Sequence, residues 1–167
     1  DPSPYPIPTN MPVEQWPTGT GALTLSQWQQ DVNSDGGDRH SIIVKPAAGL
    51  IWETWQTQLV GSAWQASNGA RFDLLSNTLR TDGWTSGDAA GLPMFPALVR
   101  YDEVARGAIE HAMRVVVKHT RAAHIYPATH HASSPTTSDP DTPAMGQRLR
   151  LKASTAIPAG WSNEAMA

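Results

Sequence analysis

The chain has 167 residues, enough for one domain with a real core and too few for two ordinary ones. It has no cysteine, which removes disulfides, thiol nucleophiles and zinc-thiolate sites. Its 12 basic and 15 acidic residues leave a net charge of -3 with no basic stripe, which argues against a nucleic-acid partner, and no apolar run has the length of a membrane span.

Residues 1–17 hold Pro2, Pro4, Pro6, Pro8, Pro12 and Pro17, a density that forbids helix and interior strand and predicts an extended arm. Residues 18–167 are expected to form one β-rich domain. Thr24 followed by Gln27 predicts a capped short helix over 24–32. Next come Asp31, Asn33, Asp35 and Asp38 around Gly36 and Gly37, the D-x-[DN]-x-[DN]-G spacing in which short oxygen donors converge on a hard cation. Calcium is the natural ion. The twelfth loop position is Ile42, not the bidentate glutamate of an EF-hand, so the choice lies between a freestanding calcium loop and a plain surface turn.

The signal then turns to β. Residues 41–44 and 50–55 are β-branched or aromatic runs around the turn Pro46-Ala-Ala-Gly49, and should pair as a hairpin with Ile42 opposite Glu53 and Val44 opposite Ile51. In that register His40, Ile42, Val44, Ile51, Glu53 and Trp55 share a face, and His40 is a diagonal neighbour of Glu53 at about 7 Å. Further strands are expected at 70–75, 97–100, 109–119, 123–126 and 148–152, with helical turns at 86–90 and 101–106 and a mobile polar insert at 133–143. The fold class that follows is all-β and mainly antiparallel, a sandwich, jelly roll or partly closed barrel with short helical insertions.

In the 109–119 segment, alternation puts His111, Met113, Val115, Val117 and His119 on a core face. His40 and His111 could then tune a carboxylate pair drawn from Glu53 with Asp88, Asp102 or Glu103, Asp88 and Asp102 being the preferred partners, one the acid and the other ionised, the arrangement that cleaves glycosidic bonds. Seven tryptophans outnumber the five Phe and Tyr together, and such residues stack on the apolar faces of sugar rings. Trp55, Trp84, Arg100, Tyr101 and His130 are the candidate substrate contacts. His119, His124, His130 and His131 form a dense imidazole group that offers copper or zinc as the alternative cofactor. Gly83-Trp-Thr-Ser-Gly87 is not a nucleophile elbow, and no phosphate or dinucleotide loop is present.

Asp38-Arg-His40, Gly83-Trp-Thr-Ser-Gly-Asp-Ala-Ala-Gly-Leu-Pro93, Leu98-Val-Arg-Tyr-Asp-Glu-Val104, His111-Ala, Tyr126-Pro-Ala-Thr-His130 and Met145-Gly-Gln-Arg-Leu-Arg-Leu-Lys152 together resemble a family of large secreted proteins from soil bacteria, some joined to carbohydrate-binding modules. The resemblance implies secretion, a polysaccharide setting and a chain that continues further, so that a C-terminal segment or a second chain would complete the fold. It transfers no catalytic residue. The opening at Asp1, with no leader, suits a signal peptide already removed, and Ser162 or Asn163 would cap a helix whose body lies beyond. Three functions remain open: a secreted glycoside hydrolase or related polysaccharide-cleaving enzyme, a non-catalytic carbohydrate-binding or cell-surface module, and an enzyme with a histidine-ligated copper or zinc site.

Overall fold

The computed structural model describes residues 3–31, 37–134, 136–156 and 159–160. The helix α1 spans Leu25–Gln30. Thr24 accepts from the Gln27 backbone N–H and the Gln27 side chain accepts from the Thr24 N–H, the reciprocal cap that the sequence predicts. Trp28 and Gln29, on its buried side, hold the proline-rich arm. Trp28 Nε1 donates to the Glu14 carbonyl at 3.0 Å and Gln29 Nε2 to that of Met11 at 2.9 Å, and Met11 and Val13 are themselves core residues. The arm is thus fixed by side-chain donors from the helix, by Ser41 Oγ on the Pro12 carbonyl (2.9 Å) and by its own Glu14 N–H on the His40 carbonyl (2.8 Å).

Strands β1 (Ser41–Lys45) and β2 (Leu50–Trp55) form the expected hairpin in the expected register, Ile42 opposite Glu53, Val44 opposite Ile51 and Lys45 opposite Leu50. The turn between them is a single 3-10 turn, Pro46–Ala48, closed by Gly49 at φ 62°, a conformation glycine adopts without strain. Strands β3 (Gln58–Val60) and β4 (Ala63–Gln65) make a small second hairpin, and β5 (Asn68–Asp73) pairs antiparallel with the far side of β2. The order β1-β2-β5 makes β2 the central strand, so Trp52 and Thr54 are buried on one face while Ile51 and Glu53 are buried on the other. A layer of ordered loop, residues 83–97, covers the Glu53 face with Ala90 and Met94, and 128–130 brace it: Gly83 N–H donates to Thr129 O, Thr129 N–H to Ala90 O, and Thr129 Oγ1 to Trp84 O. Gly91 (φ 74°) passes so close to Thr129 Oγ1 and Trp84 O that no Cβ fits there.

The β-rich class holds, with antiparallel pairing in the main sheet, but the second half of the chain departs from expectation. Residues 97–100 are not a strand. They follow a 3-10 turn, Phe95–Ala97, and lead into α2 (Tyr101–Arg106), a helical turn that was expected, stopped by Gly107 at φ 80°. Residues 109–119 form no strand, and Met113, Val115 and Val117, read as a core face, are 53%, 65% and 41% exposed. Alternation specifies a strand only if a neighbouring backbone is there to pair with it, and the Arg114 N–H is spent on Ala97 O. For the same reason 148–152 is irregular, and 123–126 is reduced to one isolated bridge, His124 with Met145. Residues 86–90 are turn rather than helix. The expected insert instead supplies β7 (Thr136–Thr137), parallel to β6 (Thr120–Arg121).

Candidate functional site

Glu53 lies at the centre of the loop-covered face, with no solvent exposure. Its Oε1 accepts from the N–H groups of Met94 (2.9 Å) and Phe95 (2.8 Å), and its Oε2 from Met94 (2.8 Å). Burial pushes its carboxyl up to about 7; the Phe95 and Met94 N–H groups and Arg114 oppose the rise, and Asp88 adds to it. Asp88 is paired with Arg114, whose Nε and Nη2 reach Oδ1 at 2.9 and 2.6 Å. A Cβ added to Gly87 would stand 3.3 Å from Glu53 Cβ, so the Gly87–Asp88 backbone closes the chamber wall. Glu53 and Asp88 therefore share one electrostatic environment, but no atom of Glu53 is exposed to reach a glycosidic oxygen.

A second cluster forms at the start of α2. Glu103 accepts the Arg100 N–H at 2.8 Å and Arg100 Nη1 at 2.7 Å, and faces His111 Nε2 at 2.8 Å. These partners, led by the Arg100 N–H, hold the Glu103 carboxyl below the usual carboxylate range. His111 Nδ1 faces the Ala112 carbonyl at 3.0 Å, so both ring nitrogens are engaged. Arg100 Nη2 also reaches Phe95 O at 3.1 Å, and its guanidinium lies 5.0 Å over the Phe95 ring. Asp102 and Tyr101 are exposed on the helix, away from the Glu53 chamber that one of them was expected to join.

His40 is not the diagonal partner of Glu53. Its Nδ1 faces the Thr54 carbonyl at 3.2 Å and its Nε2 lies 3.7 Å from Asp38, because the chain turns at Arg39 (φ 51°) before β1 begins. Asp38 also accepts Trp55 Nε1 at 3.0 Å. Of the loop donors assigned to calcium, Asn33 and Asp35 lie outside the described residues, and Asp31 ends α1 near Arg39. Among the described residues no three His, Asp or Glu converge as a metal ligand set. Three of the histidines stack face to face instead: His130 on His131 at 5.6 Å and His131 on His124 at 6.0 Å, with His124 Nε2 on Asp82 (2.9 Å) and His130 Nδ1 on Ala89 O (2.8 Å). His119 is exposed.

Two open concavities among the described residues border β5. One, of about 290 Å³, is lined by Arg71, Phe72, Asp73, Arg80 and Trp84 among others. Trp84 is 49% exposed, and Arg80 lies over both the Trp84 ring (5.6 Å) and the Phe72 ring (5.7 Å). Arg80 Nε donates to Thr85 O at 3.0 Å, which anchors the guanidinium. No family model, no curated protein and no solved structure matches the chain.

Of the residues read from the sequence, the fold thus brings Glu53 and Asp88 together and puts Trp84 on an open rim. Trp55 is half-buried with its nitrogen spent on Asp38, and Arg100 is engaged by Glu103 and Phe95. Arg39, Arg80 and Arg114 were not anticipated. Arg39 is buried, stacks 4.9 Å from the Trp28 ring and donates to Thr57 O at 2.9 Å. Nothing local marks Arg39 or Arg114, since Thr57 lies 18 residues from the first and Asp88 lies 26 from the second.

Proposed function

We propose that this chain is a secreted, non-catalytic carbohydrate-binding domain that takes a sugar ring on Trp84. The observation that carries this reading is the rim residue Trp84: a half-exposed indole beside a guanidinium and a carboxylate, in a concavity of a size that takes a small polyhydroxylated ligand. An indole offers a flat apolar face, and Asp73, in the same lining, supplies an acceptor for hydroxyls. The sheet and the loop layer over it serve as the two layers of a sandwich that presents strand β5 to the ligand. Calcium, if bound, belongs to the segment from Asp31 to Asp38 and has a supporting role.

The hydrolase reading is less well supported, because the Glu53 carboxylate is enclosed and Asp88 is held by Arg114, whereas a general acid must reach the bond it protonates. The test is retention on a panel of insoluble plant and microbial polysaccharides, with reducing-end release measured in the same samples. Binding without release, lost in Trp84→Ala while the melting temperature holds, is the expected result. Binding unaffected by that substitution overturns the assignment, and sugar release restores the enzyme reading.

A further inference from the structure

The second concavity, of about 360 Å³, lies between the arm and the β3-β4 hairpin. Its floor is the sheet face that carries Ile43, Thr54 and Gly69, whereas Ile42, Glu53 and Phe72 stand on the other face, and its lining shares no residue with that of the Trp84 concavity. We infer that it is a separate binding site, and that it takes a small, uncharged, largely apolar ring molecule rather than a sugar. The inference goes beyond the carbohydrate reading and does not depend on Trp84.

Three elements build it. The arm supplies Tyr5, Ile7 and Met11, and the Gln29 amide holds that wall in place through the Met11 carbonyl at 2.9 Å. The hairpin supplies Trp64, which stands opposite Leu59 in the β3-β4 register, and the sheet supplies Ile43. Met11 is fully buried, but Tyr5, Ile7, Ile43 and Trp64 are each only partly covered by the protein. Four large aromatic and aliphatic side chains thus meet around one cavity with part of their surface still open, and a ligand that fills it removes that surface from water.

The polar groups of the lining are largely spent inside the protein. The Thr54 and Thr57 hydroxyls pair with each other at 2.6 Å, Ser67 Oγ donates to Gln56 Oε1 at 2.6 Å, and Asn68 Nδ2 donates to Ser86 O at 2.8 Å. A sugar would bury many hydroxyls against partners already taken. An ion would fare worse, because no Asp, Glu, Lys, Arg or His lines the cavity. What fits is an uncharged ring that packs on Trp64, Tyr5 and Ile43, with any polar substituent turned to the exposed Gln65 amide at the rim. Gly69 lets the Tyr5 wall close on the sheet, since a Cβ there would stand 2.6 Å from the Tyr5 hydroxyl and 3.1 Å from its Cζ.

The test is fluorescence titration of the whole chain with two dyes of one shape, uncharged phenylnaphthylamine and its sulfonated analogue, anilinonaphthalene sulfonate. The neutral dye should saturate at one equivalent per chain and bind roughly tenfold or more tighter than the sulfonate. Trp64→Ala, and separately Ile43→Asp, which puts a carboxylate in the floor, should each weaken the neutral dye roughly tenfold or more. The two partly exposed residues lie on different strands, so a folding defect in one variant, visible in its melting temperature, leaves the other to decide. Trp84→Ala should leave the titration unchanged. No saturable binding of the neutral dye, a sulfonate that binds as tightly, or a neutral affinity that survives both substitutions overturns the site. Loss of dye binding in Trp84→Ala overturns it too, by placing the dye in the other concavity, and none of these results bears on whether Trp84 takes sugar.

Discussion

Replacing Glu53 by Gln keeps the shape of a fully buried side chain and removes its charge. In the folded protein the carboxyl is raised from 4.5 to about 7, chiefly by burial, so the folded state holds its proton over a range in which the unfolded chain has already released it. The sign follows: this group's contribution to stability is complete below about pH 4.5 and is lost as pH rises through 7. A shift of that size corresponds to about 3 kcal/mol at 1.36 kcal/mol per unit, nearly all of it lost by pH ~8. Gln cannot ionise, and its carbonyl in the Oε1 position can still accept the Met94 and Phe95 N–H groups. Urea unfolding of both proteins near pH 4.5 and near pH 8 gives the stability difference at each. The difference should move by about 3 kcal/mol in favour of Gln between the two, while Glu103 and the other carboxylates, common to both proteins, cancel. A difference that stays the same at both pH values refutes the account, because it would mean that Glu53 ionises in the folded state as it does in water.

Glu103 has the opposite sign: held low by Arg100 and His111, it contributes stability above the ordinary carboxylate range that is lost as pH falls, so Glu103→Gln should flatten the acid side of a melting-temperature profile. Gly91→Ala, which forces a side chain onto Thr129 and Trp84 at φ 74°, should cost about 2 kcal/mol or more by denaturant unfolding. If the segment from Asp31 to Asp38 holds calcium, millimolar calcium should raise the melting temperature of the chain, and Asp31→Ala with Asp38→Ala should remove that rise, whatever the double variant's own stability in chelator. An equal rise in both proteins would place the ion elsewhere.

The β1-β2 hairpin was legible in the sequence because its information is local: two runs of period two, a turn that demands a glycine in the left-handed region, and a register that one slip would invert. The Thr24–Gln27 cap was legible for the same reason. The same alternation at 109–119 misled, because nothing within the segment records whether a neighbour is present. The candidate site was half legible. Glu53 and Asp88 could be named as carboxylates, but the Asp88–Arg114 pair spans 26 residues of chain, and the loop that encloses them has no periodicity to read. Trp84 stood out by type alone. Tyr5 did not, since its seat comes from the arm folding back onto Gly69, a contact between residues 64 positions apart.

Phe95 has a position whose effect extends beyond either cluster. Its N–H is held by Glu53 and its carbonyl by Arg100, the partner of Glu103, so one short 3-10 turn is gripped from both sides. The two carboxylate clusters are therefore not independent. When the Glu53 chamber loosens, the Phe95 carbonyl turns with it and Arg100 loses an acceptor; when Arg100 lets go, the N–H pair on Glu53 loses its orientation. Substitutions in the two clusters should fail to add, the second costing less than it does alone, and the loop layer from Met94 to α2 should open as one cooperative unit.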